Sequence, residues 1–167
     1  MTNVDGGRIS VFLGGPFEGL LGPDGMDSGA RDLYQALIEH LESAGCEVFS
    51  AHRNEDWGRA LLPPSECTSI DFDAVSSCDV FVAIPGDPAS LGTHVEIGWA
   101  SALGKPLVLL TGSAGARCAL VRGLETVAAV DWVTFEAGQT DFSEVVACVL
   151  RRTGHVATPR TRAERAS

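Results

Sequence analysis

The chain is short of basic charge, of paired metal ligands and of long apolar runs, and each shortage removes a class of function. Twelve Lys and Arg stand against twenty-two Asp and Glu, a net charge of −10. The balance is uneven: residues 151–167 hold Arg151, Arg152, Arg160, Arg162 and Arg165 against Glu164 alone, a net of +4, which leaves −14 on the body. An acidic body argues against a nucleic-acid groove, which needs Lys and Arg clustered along one face. The five cysteines (Cys46, Cys67, Cys78, Cys118, Cys148) are odd in number, widely spaced and without a C-x-x-C pair, and the four histidines show no H-E-x-x-H spacing. Neither a disulfide framework nor a metal site is expected. No basic-then-apolar leader opens the sequence, and Gly, Pro or charge breaks each apolar stretch within about ten residues. The expectation is a soluble, cytoplasmic protein with no membrane partner.

What is present is a globular composition, 45% apolar and 20% charged over 167 residues. That length supports one domain with a sizeable core, taken as residues 1–153, followed by a flexible basic tail, 154–167, rich in Thr, Pro, Ala and Arg. Short apolar runs alternate with stretches of helical period, the pattern of a parallel sheet covered by helices on both faces. Five strands are predicted: Ile9 to Gly14, Glu47 to Ala51, Asp79 to Ile84, Leu107 to Leu110, and one near Val127 to Phe135. Helices are predicted over 30–44, with Leu33, Leu37 and Leu41 on one face and Gly45 as stop signal, over 65–77, after Thr93, around 116–124 and over 142–152. The fold class is therefore α/β, a single doubly wound (Rossmann-like or flavodoxin-like) five-stranded parallel sheet. In such a sheet the loops after the first three strands, 14–25, 52–64 and 85–93, open on one edge and frame one pocket.

Several residues in those loops suit chemistry. Gly14-Gly15-Pro16-Phe17 lets backbone approach a ligand closely, yet matches neither the dinucleotide fingerprint nor a phosphate loop ending in Gly-Lys-Ser/Thr. Its plainer reading is a tight turn into a mobile Gly-rich loop, GLLGPDG. His52, Arg53, Glu55, Asp56 and Trp57 combine donors, acceptors and a large ring. His52 and Arg53 suit a base edge or a phosphate, and Trp57 a planar base, although a charged loop is usually just solvated and Trp57 can equally anchor it to the core. The stretch 86–93, with Gly86, Ser90, Gly92 and Thr93, offers hydroxyls and free N–H groups at a helix start and suits a monophosphate, or plain N-capping. Glu96 is expected inside the first turn of that helix, facing the pocket, but Thr93-x-x-Glu96 also fits a capping box. Asp71 lies on the preceding helix, eight residues before Asp79. It is either a solvated helix charge or the second member of a carboxylate pair with Glu96, and such pairs divide acid and base roles.

Taken together, VFLGGPF, Asp71 before DVFVAIPG, and SLGTHVEIGWASALGKP resemble the nucleoside 2-deoxyribosyltransferase-like superfamily, from about Ile9 to Leu124. Within it, AHRNEDWG and PASLGTHVEIGWASALGKPLVLL look most like the CMP and hydroxymethyl-CMP N-glycosidases of peptidyl-nucleoside antibiotic pathways. The resemblance implies Glu96 as nucleophile or oxocarbenium stabiliser at the sugar C1′, Asp71 in proton transfer or sugar orientation, and Ser90, Gly92 and Thr93 around a 5′-phosphate. It also implies a homodimer whose site is completed near Arg117 and Cys118 of the partner subunit. Some relatives carry serine where this chain has Cys118, and hydroxymethyl-specific ones carry a basic residue where it has Glu18. The implied reaction releases a pyrimidine base from a nucleotide without a cofactor. A deoxyribosyltransferase and a non-catalytic nucleotide-binding protein are the alternatives.

Overall fold

A computed structural model describes residues 7–154. The predicted basic tail, apart from Gly154, lies outside the described residues. In chain order the elements are β1 (Ser10–Gly14), β2 (Leu21–Gly22), β3 (Gly25–Met26), α1 (Ser28–Ser43), β4 (Glu47–Ser50), α2 (Ala51–Asn54), α3 (Pro64–Ser77), β5 (Val80–Ala83), α4 (Leu91–Ala102), β6 (Leu107–Thr111), α5 (Ala119–Arg122), β7 (Val130–Thr134) and α6 (Ser143–Arg152). Five strands form one parallel sheet in the order β4-β1-β5-β6-β7. The fold is thus the doubly wound α/β class anticipated above.

Alternation along the strands sorts the core into two layers. Val11, Leu13, Val80, Val82, Val108 and Leu110 pack with Tyr34, Leu37, Ile38 and Leu41 of α1 and Val145 and Val149 of α6. Phe12, Phe81, Ala83, Leu107 and Leu109 pack with Val75 of α3 and Ile97 and Ala100 of α4 on the other face. Phe12 stacks between Phe81 and Phe49, at 5.2 and 5.5 Å, and so ties the three strands β5, β1 and β4 together. Each fully buried Leu or Phe here stabilises the fold by about 1.5–3 kcal/mol.

Three details differ from the sequence reading. The segment GLLGPDG is not a mobile loop. It forms the β2–β3 hairpin, with Leu21 opposite Met26, and it is docked: a Cβ at Gly58 would lie 2.3 Å from the Leu21 side chain. The second strand stops at Ser50, because Ala51–Asn54 turn into the short helix α2. The helix expected over 116–124 is reduced to α5 and a 3-10 turn at Leu124–Thr126, with Gly123 between them. The hydrophobic pattern is local and could not register how these short segments dock.

The topology locates the functional edge. From β1 the chain runs through α1 to β4 on one side, and from β5 through α4 to β6 on the other. Successive connections diverge between β1 and β5, which makes the carboxyl ends of these neighbours, Gly14 and Ala83, the switch point where such sheets bind ligands.

Candidate active site

Glu96 occupies that switch point. The N-cap of α4 is Ser90, whose hydroxyl accepts from the Thr93 N–H at 3.4 Å and from the Thr93 hydroxyl at 3.0 Å. Helix α4 therefore begins three residues earlier than a Thr93 cap would place it. Glu96 sits in the second turn, not the first, and takes no part in capping. One turn of rotation carries it to the sheet edge, where its Oε2 lies against Gly14: a Cβ there would come within 2.7 Å. Gly14 is thus glycine because a carboxylate needs its space.

Asp71 of α3 faces the same crevice, since α3 and α4 pack side by side. Burial first, and then the negative charge of Asp71, push the Glu96 carboxyl up from its ordinary value to about 8. Asp71 is itself raised to about 6, first by burial and then by the charge of Glu55. Neither carboxylate is completely covered, so both stay open to a ligand. Near neutral pH the two hold one proton between them, an arrangement in which like charges in a dry site cannot both ionise.

Two participants carried no assigned role in the sequence. Tyr34 lies on the buried stripe of α1, where spacing suggests only core. Its hydroxyl reaches the turn after β1, 3.4 Å from the Pro16 carbonyl and so close to Gly15 that a Cβ there would sit 2.0 Å away. Burial, with the Glu96 charge, raises the Tyr34 phenol, so it stays protonated. A hydroxyl on an otherwise apolar helix stripe needs a partner, and that need was the available signal. Glu55, a buried acid, accepts from the Leu62 N–H at 3.0 Å and faces Asp71. Asp56 and Trp57 have positive φ, 46° and 57°, and the resulting tight reversal turns Glu55 inward. That backbone costs on the order of 1–3 kcal/mol per residue and is offset by burying the Trp57 ring, over which Arg31 stacks at 5.2 Å.

The loop after β4 therefore behaves differently from the expected base reader. His52 is 1% exposed. Its Nε2–H donates to the Pro16 carbonyl at 3.0 Å, and the Ser50 hydroxyl donates to Nδ1 at 3.2 Å. Burial lowers its pKa to about 4, which keeps the ring neutral. Arg53 donates to Glu42 at 2.7 Å and to the Val48 carbonyl, beside Arg8 and Glu47 at the amino end of the strands. Trp57 anchors its loop. The His52 ring is engaged on both nitrogens, the Arg53 guanidinium is paired with Glu42 and the Val48 carbonyl, and the Trp57 ring is buried. In the third loop Thr93 is buried and committed to the cap, whereas Ser90 and Gly92 remain accessible beside the N-terminus of α4. Gly86, at φ 91°, lets Pro16 approach, since a Cβ would meet the Pro16 ring at 2.7 Å. Phe17 is half-buried and meets His52 edge to face at 4.9 Å. Arg117 makes a two-pronged pair with Asp87 of its own chain, both contacts 3.0 Å, which joins the loop after β6 to the loop after β5. Cys118 is the N-cap residue of α5 and is only partly exposed.

A doubly wound parallel sheet with two carboxylates at its switch point, beside an accessible helix N-terminus, is the architecture of an α/β enzyme. The family described as nucleoside 2-deoxyribosyltransferase matches residues 20–140, and the chain belongs to it. It is similar to the Clostridium botulinum CMP N-glycosidase BcmB, at 35% identity over 83% of this chain and 94% of that one, TM-score 0.61. It is similar also to BlsM, at 47% identity over 93% of this chain and 98% of that one, TM-score 0.71. A 2-deoxyribosyltransferase from Bacillus psychrosaccharolyticus, 19% identical over 82% of this chain and 90% of that one, shares the fold at TM-score 0.55. No match was found among curated proteins. The family is enzymatic, made of glycosidases and transferases. Among the described residues no helix is long and apolar enough to cross a membrane.

Proposed function

We propose that this chain is a cytoplasmic nucleoside 5′-monophosphate N-glycosidase that hydrolyses CMP, or a 5-substituted CMP, to the free base and ribose 5-phosphate. The observation that carries the reading is Glu96 seated on Gly14 at the switch point with Asp71 beside it, together with the likeness to a CMP N-glycosidase. Cleavage of the N-glycosidic bond leaves positive charge on the sugar at C1′, and a carboxylate held against that carbon stabilises it whether or not an ester forms. The proton shared by Glu96 and Asp71 passes to the departing base, which leaves both carboxylates ionised as the sugar becomes cationic. Water then supplies the hydroxyl at C1′ and returns a proton to the pair. Ser90, Gly92 and the first N–H groups of α4 hold the phosphate.

Incubation with CMP, followed by chromatography for cytosine, tests the reading. Release of cytosine that is lost in Glu96→Gln supports it, and no release from any 5′-monophosphate overturns it. The family match itself favours a second reading, transfer of deoxyribose between bases. An exchanged nucleoside formed from a deoxynucleoside and a second free base would establish that one.

We also propose a homodimer that brings Arg117 and Cys118 of the partner subunit towards the phosphate. Its support is the apolar surface beside the site: Leu91 and Val95 on α4 and Leu120 on α5 are exposed, Leu91 by 85%. Light scattering that reads one chain mass at micromolar concentration would remove the dimer.

A further inference from the structure

Three loops meet at Pro16. Its carbonyl receives the His52 Nε2–H from the loop after β4, and its ring packs on Gly86 of the loop that carries Ser90. Two residues back in its own loop lies Gly14, the seat of Glu96. The Tyr34 hydroxyl reaches the same carbonyl from α1 and stacks its ring on His52 at 4.0 Å and 21°. A proline carbonyl can only accept, so Nε2 must carry the hydrogen, and the neutral ring leaves Nδ1 bare for the Ser50 hydroxyl. Every polar atom in the chain Ser50–His52–Pro16 is thus satisfied in one tautomer only. Ser50, His52 and Tyr34 are all buried, so solvent cannot replace a missing member.

We infer that His52, backed by Tyr34, is a positioning residue: through the Pro16 carbonyl it fixes the turn on which Glu96 and the Ser90 loop are seated, without touching the substrate. In kinetic terms this rests on the N-glycosidase reading. Misplacement of reacting groups by about 1 Å costs up to about a hundredfold in rate, with little effect on ground-state binding.

The test compares His52→Gln with His52→Asn. The glutamine amide reaches the position of Nε2 and can still donate to Pro16. The shorter asparagine amide reaches only the position of Nδ1 and Ser50. With CMP as substrate, His52→Asn should lose about ten- to a hundredfold in kcat with KM within about threefold, and His52→Gln should recover most of that loss. Proton–nitrogen NMR of the wild-type protein should show the Nε2–H tautomer. The Gly14, Gly15 and Phe17 amide signals should move in His52→Asn and return in His52→Gln. Equal losses in both variants, or no loss in either with unmoved amide signals, would overturn the inference. If wild type releases no base from any 5′-monophosphate, the enzymatic reading falls and the NMR comparison alone decides this one. Should His52→Asn fail to fold, Tyr34→Phe replaces it, with the same amide shifts and a smaller loss in kcat expected.

Discussion

Glu96 is held in an environment that resists its ionisation, and replacing it with glutamine should therefore stabilise the protein while abolishing its chemistry. In the unfolded chain the carboxyl ionises near its ordinary value of 4.5; in the folded chain burial and Asp71 hold the proton up to about 8. Folding therefore takes up a proton across that window. Stability is greatest relative to the unfolded chain below pH 4.5 and falls as pH rises to about 8. At about 1.36 kcal/mol per pH unit, the gap reaches about 3 kcal/mol at pH 7. Glutamine has the same shape and no proton to lose. Glu96→Gln should match wild type near pH 4.5 and exceed it at pH 7 by about 3 kcal/mol, or roughly 6 to 12 °C in Tm for a domain of this size. Urea and thermal unfolding of both proteins at pH 4.5, 6, 7 and 8.5 would measure the divergence. A stability difference that does not change with pH would refute the reasoning. So would a loss of stability in Glu96→Gln at pH 8.5, since it would show the carboxylate making stabilising contacts of its own.

The same pair shapes the kinetics: kcat/KM should be bell-shaped, with an acid limb near 6 where Asp71 protonates and an alkaline limb near 8 where the shared proton leaves Glu96. A pH-rate profile flat from 5 to 9 would sink that assignment. Gly14→Ala should fold yet lose most activity, because its methyl would lie 2.7 Å from the Glu96 carboxylate, as turnover beside a melting curve would show. Gly15→Ala should instead lower Tm, since its methyl meets the buried Tyr34 hydroxyl at 2.0 Å. Ser90→Ala removes the α4 cap, and should cost about 1 kcal/mol in urea unfolding while raising KM for the nucleotide. An unchanged KM would take Ser90 out of the phosphate site.

The strands, the helices that cover them and the placing of Glu96 at the start of a helix beside one sheet edge were legible in the sequence, because short apolar runs and a 3.6-residue apolar period are local signals. The apolar run predicted as a strand from Asp79 to Ile84 forms one over Val80–Ala83, buried on both faces. Helix ends were less legible. Ser90 and Thr93 are both cap residues three positions apart, and only the folded chain shows that Ser90 caps and Thr93 hydrogen-bonds to it. The loop 52–57 was least legible: polar composition suggested ligand contact, whereas the folded chain uses His52 to hold Pro16, Arg53 to bind Glu42 and Trp57 as an anchor.

By itself, then, the sequence determined a doubly wound α/β domain, an acidic body and two acids, Asp71 and Glu96, whose pairing it left open against a solvated helix charge and a capping box. Only tertiary structure decided that β1 and β5 are the diverging neighbours, that Gly14 makes room for a carboxylate and Gly15 for a phenol, and that Tyr34 lies near Glu96 and Glu55 near Asp71. The physical reason is distance along the chain. Periodicity and capping are set within a few residues, whereas the Glu96–Gly14, Tyr34–Pro16 and Glu55–Asp71 relations join residues 16 to 82 positions apart, and these exist only once the sheet has brought its loops together.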